Sequence, residues 1–199
     1  PILYASTGSN YGAVVGEICN EETKLNPVSV YGETKTAAEK IVQDTNNYLN
    51  YRFATAFGVS PRMRLDLLIN DFVYQAIKNK NLTIYEKNFK RTFIHVLDIA
   101  ENIIYGMNKF NDLKNNVYNI GSNEMNFSKF ELAGLIKKKI DFYLHFAEIG
   151  TDEDKRNYEV DYNKAIKAGF KTKIDINTGL DELIKVCQHI TVNNKYSNI

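Results

Sequence analysis

The chain alternates short apolar runs with longer amphipathic ones. "PILYAS" is apolar, contains β-favouring Ile and Tyr, and stops at Ser, Thr and Gly, which predicts a buried strand over 1–6. "NPVSVYGETKTAAEKIVQDTNNYL" carries helix-start signals. Asn26 can N-cap, and Pro27 can take the first helical position, where its missing N–H costs nothing. That helix is expected to run to about Asn46. "NYRFATAFG" predicts a second strand near 50–57. "RLDLLINDFVYQAIKNK" is amphipathic, with Leu68, Phe72 and Ile77 near one face. "NLTIYEK" and "RTFIHV" predict short strands, "LDIAENIIYGMNKF" a helix, and "NNVYNIG" a strand ending at Gly121.

In "SKFELAGLIKKKI", Ser128 and Glu131 fit a capping box, with Leu132, Leu135 and Ile136 as the apolar stripe. "FYLHFAEI" predicts an edge or small-sheet strand, and "YNKAIKAGF" a short helix stopped by Gly169. "TGLDELIKVCQHI" predicts a last helix, and "TVNNKYSNI" a frayed tail. Alternating strands and helices in the first half point to a parallel α/β architecture. The second half is more mixed, as a small α+β lobe would be. No internal repeat and no linker separates independent domains.

Composition changes this picture little. At 199 residues, with 44% hydrophobic and 25% charged residues, the chain can bury a core. A net charge of +1 gives no reason to expect nucleic acid or an anionic membrane as partner. No apolar run approaches the roughly 20 residues that span a bilayer. Cys19 and Cys187 have no motif spacing and read as reduced thiols of a cytoplasmic protein. His95, His145 and His189 form no metal-ligand pattern, so no metal site is expected.

The candidate chemistry lies at Tyr31 and Lys35. Spaced i, i+4, they leave one helix face. A free Tyr titrates near ~10 and is a poor base at neutral pH. A nearby ammonium stabilises the phenolate, and such a Tyr can exchange a proton with a substrate hydroxyl or carbonyl oxygen while a hydride moves. Alone, the pair reads as well as an aromatic packed on a helix with a Lys snorkelling beside it. Its surroundings add weight to the chemical reading. Thr7 ends the preceding strand, where α/β sheets build their sites, and Tyr11–Gly12 follow.

The order strand, hydroxyl, "YG", loop, Pro, "S-x-Y-G-x-x-K" resembles the extended short-chain dehydrogenase/reductases, the NAD-dependent nucleotide-sugar epimerases and dehydratases. "RFATAFG", "NDFV", "RTFIHVLDIA", "VYNIGS" and "GFK…TGLDELI" resemble later segments of that family in the same order. The resemblance implies a partial Rossmann-type parallel sheet with flanking helices, plus a small C-terminal α+β substrate lobe. It implies one incomplete unit over 1–199, with about 1–60 and parts of 61–125 Rossmann-derived and the remainder mostly substrate lobe.

Carried onto this chain, the resemblance makes Tyr31 the proton-transfer residue. Lys35 tunes it and holds the nicotinamide ribose, and Thr7 bonds the reacting sugar oxygen. Phe53 and Ala54 back the nicotinamide of NAD or NADP, and Thr55 faces the hexose. Asn70 and Arg91 hold the diphosphate of a nucleotide-diphosphate sugar. Arg156 is a second phosphate or ribose ligand, or a solvated Arg on a charged loop. His95 belongs to the motif and either serves the site or caps locally.

The family's 4,6-dehydratases carry an acidic pair directly after the Thr. Here those positions are Gly8 and Ser9, which favours a 4-epimerase or 4-ketoreductase. A non-catalytic remnant or subunit that binds a nucleotide sugar or a partner chain is the alternative. No G-x-x-G-x-x-G precedes the site strand, so the chain is expected to match the C-terminal part of a family member. The first strand would then have a bare edge, covered by a homodimer neighbour or another chain.

Overall fold

The computed structural model describes residues 1–151 and 154–191. Of the expected tail at 191–199, residues 192–199 lie outside the described residues. Strand β1 (Ile2–Thr7) runs into a one-turn 3-10 helix (Gly8–Tyr11), capped by the Thr7 side chain. β2 (Ala13–Cys19) follows, a strand absent from the sequence reading.

Helix α1 (Val30–Gln43) begins later than Asn26 and Pro27 suggest; its N-cap is Ser29, whose hydroxyl accepts from Gly32 N. The reason is tertiary. Asn26 N donates to the Asn10 carbonyl at 3.0 Å, which holds 26–28 extended against the 3-10 turn. Gly12 permits that approach: it has φ +77, and a Cβ there would sit 1.8 Å from the Asn26 carbonyl oxygen.

The strand expected near 50–57 is two strands. β3 (Tyr48–Phe53) and β4 (Thr55–Phe57) belong to different sheets, and Ala54 between them donates its N–H to the Ile120 carbonyl. The chain continues through α2 (Leu68–Lys78), β5 (Asn81–Ile84), β6 (Lys90–His95), α3 (Val96–Asn108), the short α4 (Phe110–Leu113) and β7 (Asn116–Ile120). β8 (Asn126–Ser128) leads into α5 (Lys129–Lys137), which carries the expected capping box between Ser128 and Glu131. β9 (Tyr143–Phe146), β10 (Asn157–Val160), α6 (Asn163–Lys167) and α7 (Ile176–His189) complete the described chain.

The main sheet is parallel, in the order β1-β3-β7. Its register puts Thr7, Phe53 and Ile120 in one row at the carboxyl ends. A second sheet, β4-β6-β8, is parallel between β4 and β6 and antiparallel between β6 and β8. The pairs β5-β9 and β2-β10 are parallel.

Alternation along β3 sorts its side chains. Leu49 and Tyr51 enter an apolar core with Tyr118, Ile120 and Phe170, while Asn50 and Arg52 turn to the α1 side. The other core gathers Phe57, Phe72, Phe93, Leu132 and Leu183 from β4, α2, β6, α5 and α7. The chain visits these two cores alternately. Cys19 and Cys187 are free and buried, and burial pushes both thiols up to about 11, so they are poor nucleophiles.

The motif "HVLDIAEN" has a local purpose. His95 caps α3 through Nδ1 and meets Glu182 of α7 through Nε2 at 2.7 Å. Asp98 accepts from the N–H groups of Lys173 and Ile174, and Asn102 brackets Lys171 with two bonds. Together they fasten the segment before α7 to α3.

Candidate active site

A cleft of about 710 Å³ opens at the carboxyl ends of β1 and β3, where the chain crosses to β4. Thr7, Tyr31, Lys35, Phe53, Ala54, Thr55 and Arg156 all line it. Sheet geometry explains the gathering. Thr7 and Phe53 are register partners, and the crossing at Ala54 brings Thr55, the first residue of β4, into the same cleft.

Thr7 is nearly buried, and its Oγ1 accepts from Ser9 N at 3.2 Å. The hydroxyl accepts in this bond, so it retains its own proton to give. Tyr31 is 52% exposed, at the first turn of α1. Lys35 Nζ donates to the Ala5 carbonyl at 2.7 Å and lies 6.0 Å from the Tyr31 ring centroid and 5.0 Å from that of Tyr4.

The lining is largely cationic. Lys35, Arg64, Lys155 and Arg156 line the cleft, and among the described residues Asp154 is its one lining carboxylate. Asp154 sits between two guanidiniums. Arg156 meets it through two 2.7 Å bonds, and Arg91 approaches at 3.0 Å. Burial works to raise the Asp154 carboxyl, but the Arg156 bonds and the two cations outweigh it and hold the group well below the usual carboxylate range. Burial opposes the charge on Arg156 too, and the Asp154 bonds overcome it, raising its affinity for the proton. Arg156 Nη1 also donates to Ser9 Oγ at 2.7 Å, so the loop before β10 is tied to the turn after Thr7.

Asn70 and Arg91 stand apart from this gathering. Neither lines the cleft. Asn70 is buried, and both ends of its amide serve the chain: Oδ1 accepts from Gly58 N and Nδ2 donates to the Arg64 carbonyl. Arg91 is 2% exposed, behind Asp154, with its plane 5.9 Å from the Tyr158 ring and one bond to the Lys90 carbonyl. Burial lowers its pKa more than Asp154 raises it.

Sequence reasoning did not find Asp154, Lys155 or Arg64. Asp154 stands two residues before Arg156, the one local signal that a fork was available. It also missed Glu39 and Arg52, which are paired beneath the cleft at 2.6 Å. Among the described residues no cluster of three His, Cys, Asp or Glu could hold a metal, and no helix is long and apolar enough to cross a membrane.

Comparison with known proteins identifies the family and the fold. Residues 1–121 match the profile of the NAD dependent epimerase/dehydratase family. The chain is 33% identical to the uncharacterized UDP-glucose epimerase YtcB of Bacillus subtilis over 51% of its length and 33% of the relative's. It is 23% identical to UDP-glucose 4-epimerase 2 of Arabidopsis thaliana over 98% of its length and 62% of the relative's. The crystal structure of Thermus thermophilus UDP-glucose 4-epimerase in complex with NAD superimposes with a TM-score of 0.81 at 19% identity, over 95% of this chain and 64% of that one. The chain therefore spans less than two thirds of the length of these relatives. With more than half of its residues inside the family profile, this chain belongs to the NAD dependent epimerase/dehydratase family.

Proposed function

We propose that the chain carries the catalytic and sugar-binding part of an enzyme acting at C4 of a nucleotide-diphosphate sugar, as a 4-epimerase or 4-ketoreductase. The observation that carries this is the convergence of Thr7, Tyr31, Lys35, Thr55 and Arg156 on one cleft at the carboxyl ends of parallel strands.

The donor set fits the nicotinamide riboside end of NAD or NADP. Tyr31 and Lys35 offer a hydroxyl and an ammonium on one wall, and Phe53 and Ala54 offer an apolar floor beside them. When bound, the dinucleotide supplies the hydride chemistry at the sugar carbon. The chain supplies the rest. Thr7 donates to the C4 oxygen, and Tyr31 takes its proton and returns it. Lys35, on the same wall, holds the nicotinamide ribose beside it. Thr55 faces the hexose. Arg156, held in plane by Asp154, presents its edge to a phosphate, and Lys155 and Arg64 add positive charge. Arg91 acts behind Asp154.

Ser9 and Gly8 support the absence of dehydration. Ser9 Oγ is taken by Arg156, and a side chain on Gly8 would meet the Tyr158 hydroxyl at 3.3 Å. No acid or base for expelling water stands there.

The test is proton NMR of UDP-glucose with the protein and NAD. Appearance of the 4-epimer or a 4-keto signal, abolished in Tyr31→Phe, is the expected result. Sugar-nucleotide binding that leaves the Thr7, Tyr31 and Thr55 resonances unmoved would overturn the assignment of this cleft.

A further inference from the structure

Tyr31, Lys35 and Glu39 follow one another at successive turns of α1 and share a face. Unlike the other two, Glu39 is buried, at 2% exposure. Its carboxylate accepts from Ser6 Oγ at 2.5 Å, from Asn10 Nδ2 at 3.2 Å and from Arg52, the shortest of those bonds being 2.6 Å. Arg52 is also buried and passes its remaining Nη1 to the Tyr11 hydroxyl and the Glu21 carbonyl.

Each donor to Glu39 neighbours a residue of the turn or cleft. Ser6 precedes Thr7, Asn10 follows Ser9, and Arg52 precedes Phe53. One carboxylate therefore joins β1, the 3-10 turn and β3 to the helix that carries Tyr31 and Lys35.

A buried ion pair is a poor choice for stability alone. Stripping water from both charges consumes much of their attraction, and apolar residues of similar volume often hold two layers as firmly. The cluster also leaves Asn10 Oδ1 and Asn50 Oδ1 buried without a partner among the described residues. What such a cluster provides is direction. Apolar contacts let a helix slide or roll on a sheet, whereas a guanidinium fork on a carboxylate fixes distance and plane together.

We infer that Glu39 and Arg52 are positioning residues: the pair sets the rise and roll of α1 on β1 and β3, and so places Tyr31 and Lys35 against Thr7. The inference rests on the proton-transfer reading given above.

The discriminating variant is the double substitution Glu39→Gln with Arg52→Gln. It removes both charges together, so no lone buried ion remains. The melting temperature should return to within a few degrees of the parent protein, while Glu39→Gln alone melts well below it. The resonances of Thr7 and Tyr31 should still be displaced in the double variant. Its kcat for the sugar nucleotide should fall about tenfold or more at unchanged KM, since proton transfer follows donor–acceptor geometry. Recovery of melting temperature, resonances and kcat together would overturn the inference and leave the pair a purely structural one. If the double variant does not fold, Ser6→Ala decides. It removes one donor with the ion pair intact, and it must displace Thr7 and lower kcat without lowering the melting temperature, or the inference fails. The resonance arm needs no turnover. Failure of the parent protein to act on sugar nucleotides would count against the proposed function and leave the positioning result standing.

Discussion

Lys35 reaches past Tyr31 to β1, where its Nζ donates to the Ala5 carbonyl at 2.7 Å. That bond fastens the second turn of α1 to the strand that ends in Thr7, and keeps the ammonium in the cleft wall. Tyr31→Phe should lower turnover about 10²-fold or more, the scale of a lost acid/base group. Lys35→Met should cost a similar factor, and the double variant little more than either alone, because residues that act as a unit are not additive. Steady-state kinetics on the three variants checks this; losses that multiply would assign the two side chains to separate steps.

Arg156 and Arg91 share one carboxylate but face different surroundings. Arg156→Lys keeps the charge and loses the fork, so affinity for UDP-glucose should fall by about tenfold, the equivalent of one charge-assisted hydrogen bond. Arg91→Lys should instead act on the fold, because Arg91 is buried and bonded to Lys90 and Asp154. Calorimetric affinity and melting temperature, measured on both variants, separate the roles. An affinity loss for Arg91→Lys as large as that for Arg156→Lys would return Arg91 to the ligand's side.

The depressed Asp154 carboxyl makes a pH prediction. A carboxyl whose folded pKa lies below its unfolded value, near ~3.9, adds stability at every pH above that value. The contribution fades only as pH falls from about 4 toward the lower folded pKa. The melting-temperature gap between the parent protein and Asp154→Asn should therefore be constant from pH 7 to about pH 5, and shrink below about pH 4. A gap that closes between pH 6 and 5 would mean that the two guanidiniums do not hold Asp154 ionised.

His95 gives a control. His95→Asn keeps a side chain able to cap α3 but loses the 2.7 Å contact with Glu182 on α7. The expected cost is on the order of 1–2 kcal/mol of stability with KM unchanged. Thermal unfolding and kinetics on the same preparation check it; a raised KM would move His95 into the site.

Much of this site was legible because its residues cluster at predictable ends of predictable elements. Thr7 ends a strand, Tyr31 and Lys35 share a helix face, and Ser128 with Glu131 announces α5. The parts that escaped depend on distant pairing. β2 and β10 meet across 140-odd positions of chain, and β10 is only four residues long and half polar, so neither announces its partner locally. The break at Ala54 is invisible in an apolar run, because it is imposed by the Ile120 carbonyl of another strand. Glu39 and Arg52 lie 13 residues apart with no local signal of pairing, and only burial against one another makes them a pair. The late start of α1 follows from Asn26 being held by Asn10, which no propensity of Asn or Pro can foretell.

The crossing at Ala54 has a mechanical consequence. Phe53 and Thr55 are separated by one residue, Ala54, so the cleft lining at this edge is a continuous stretch of backbone paired into two sheets. Backbone paired on both sides of Ala54 has little freedom to hinge, so on the proposed reading a bulkier sugar is not expected to be admitted by widening at this edge. New room must come from the segments around Arg64 and Asp154, which reach the cleft from loops outside both sheets. Variation for a different sugar is therefore best sought at 60–67 and 154–156, and an insertion beside Ala54 should abolish binding altogether instead of retuning it.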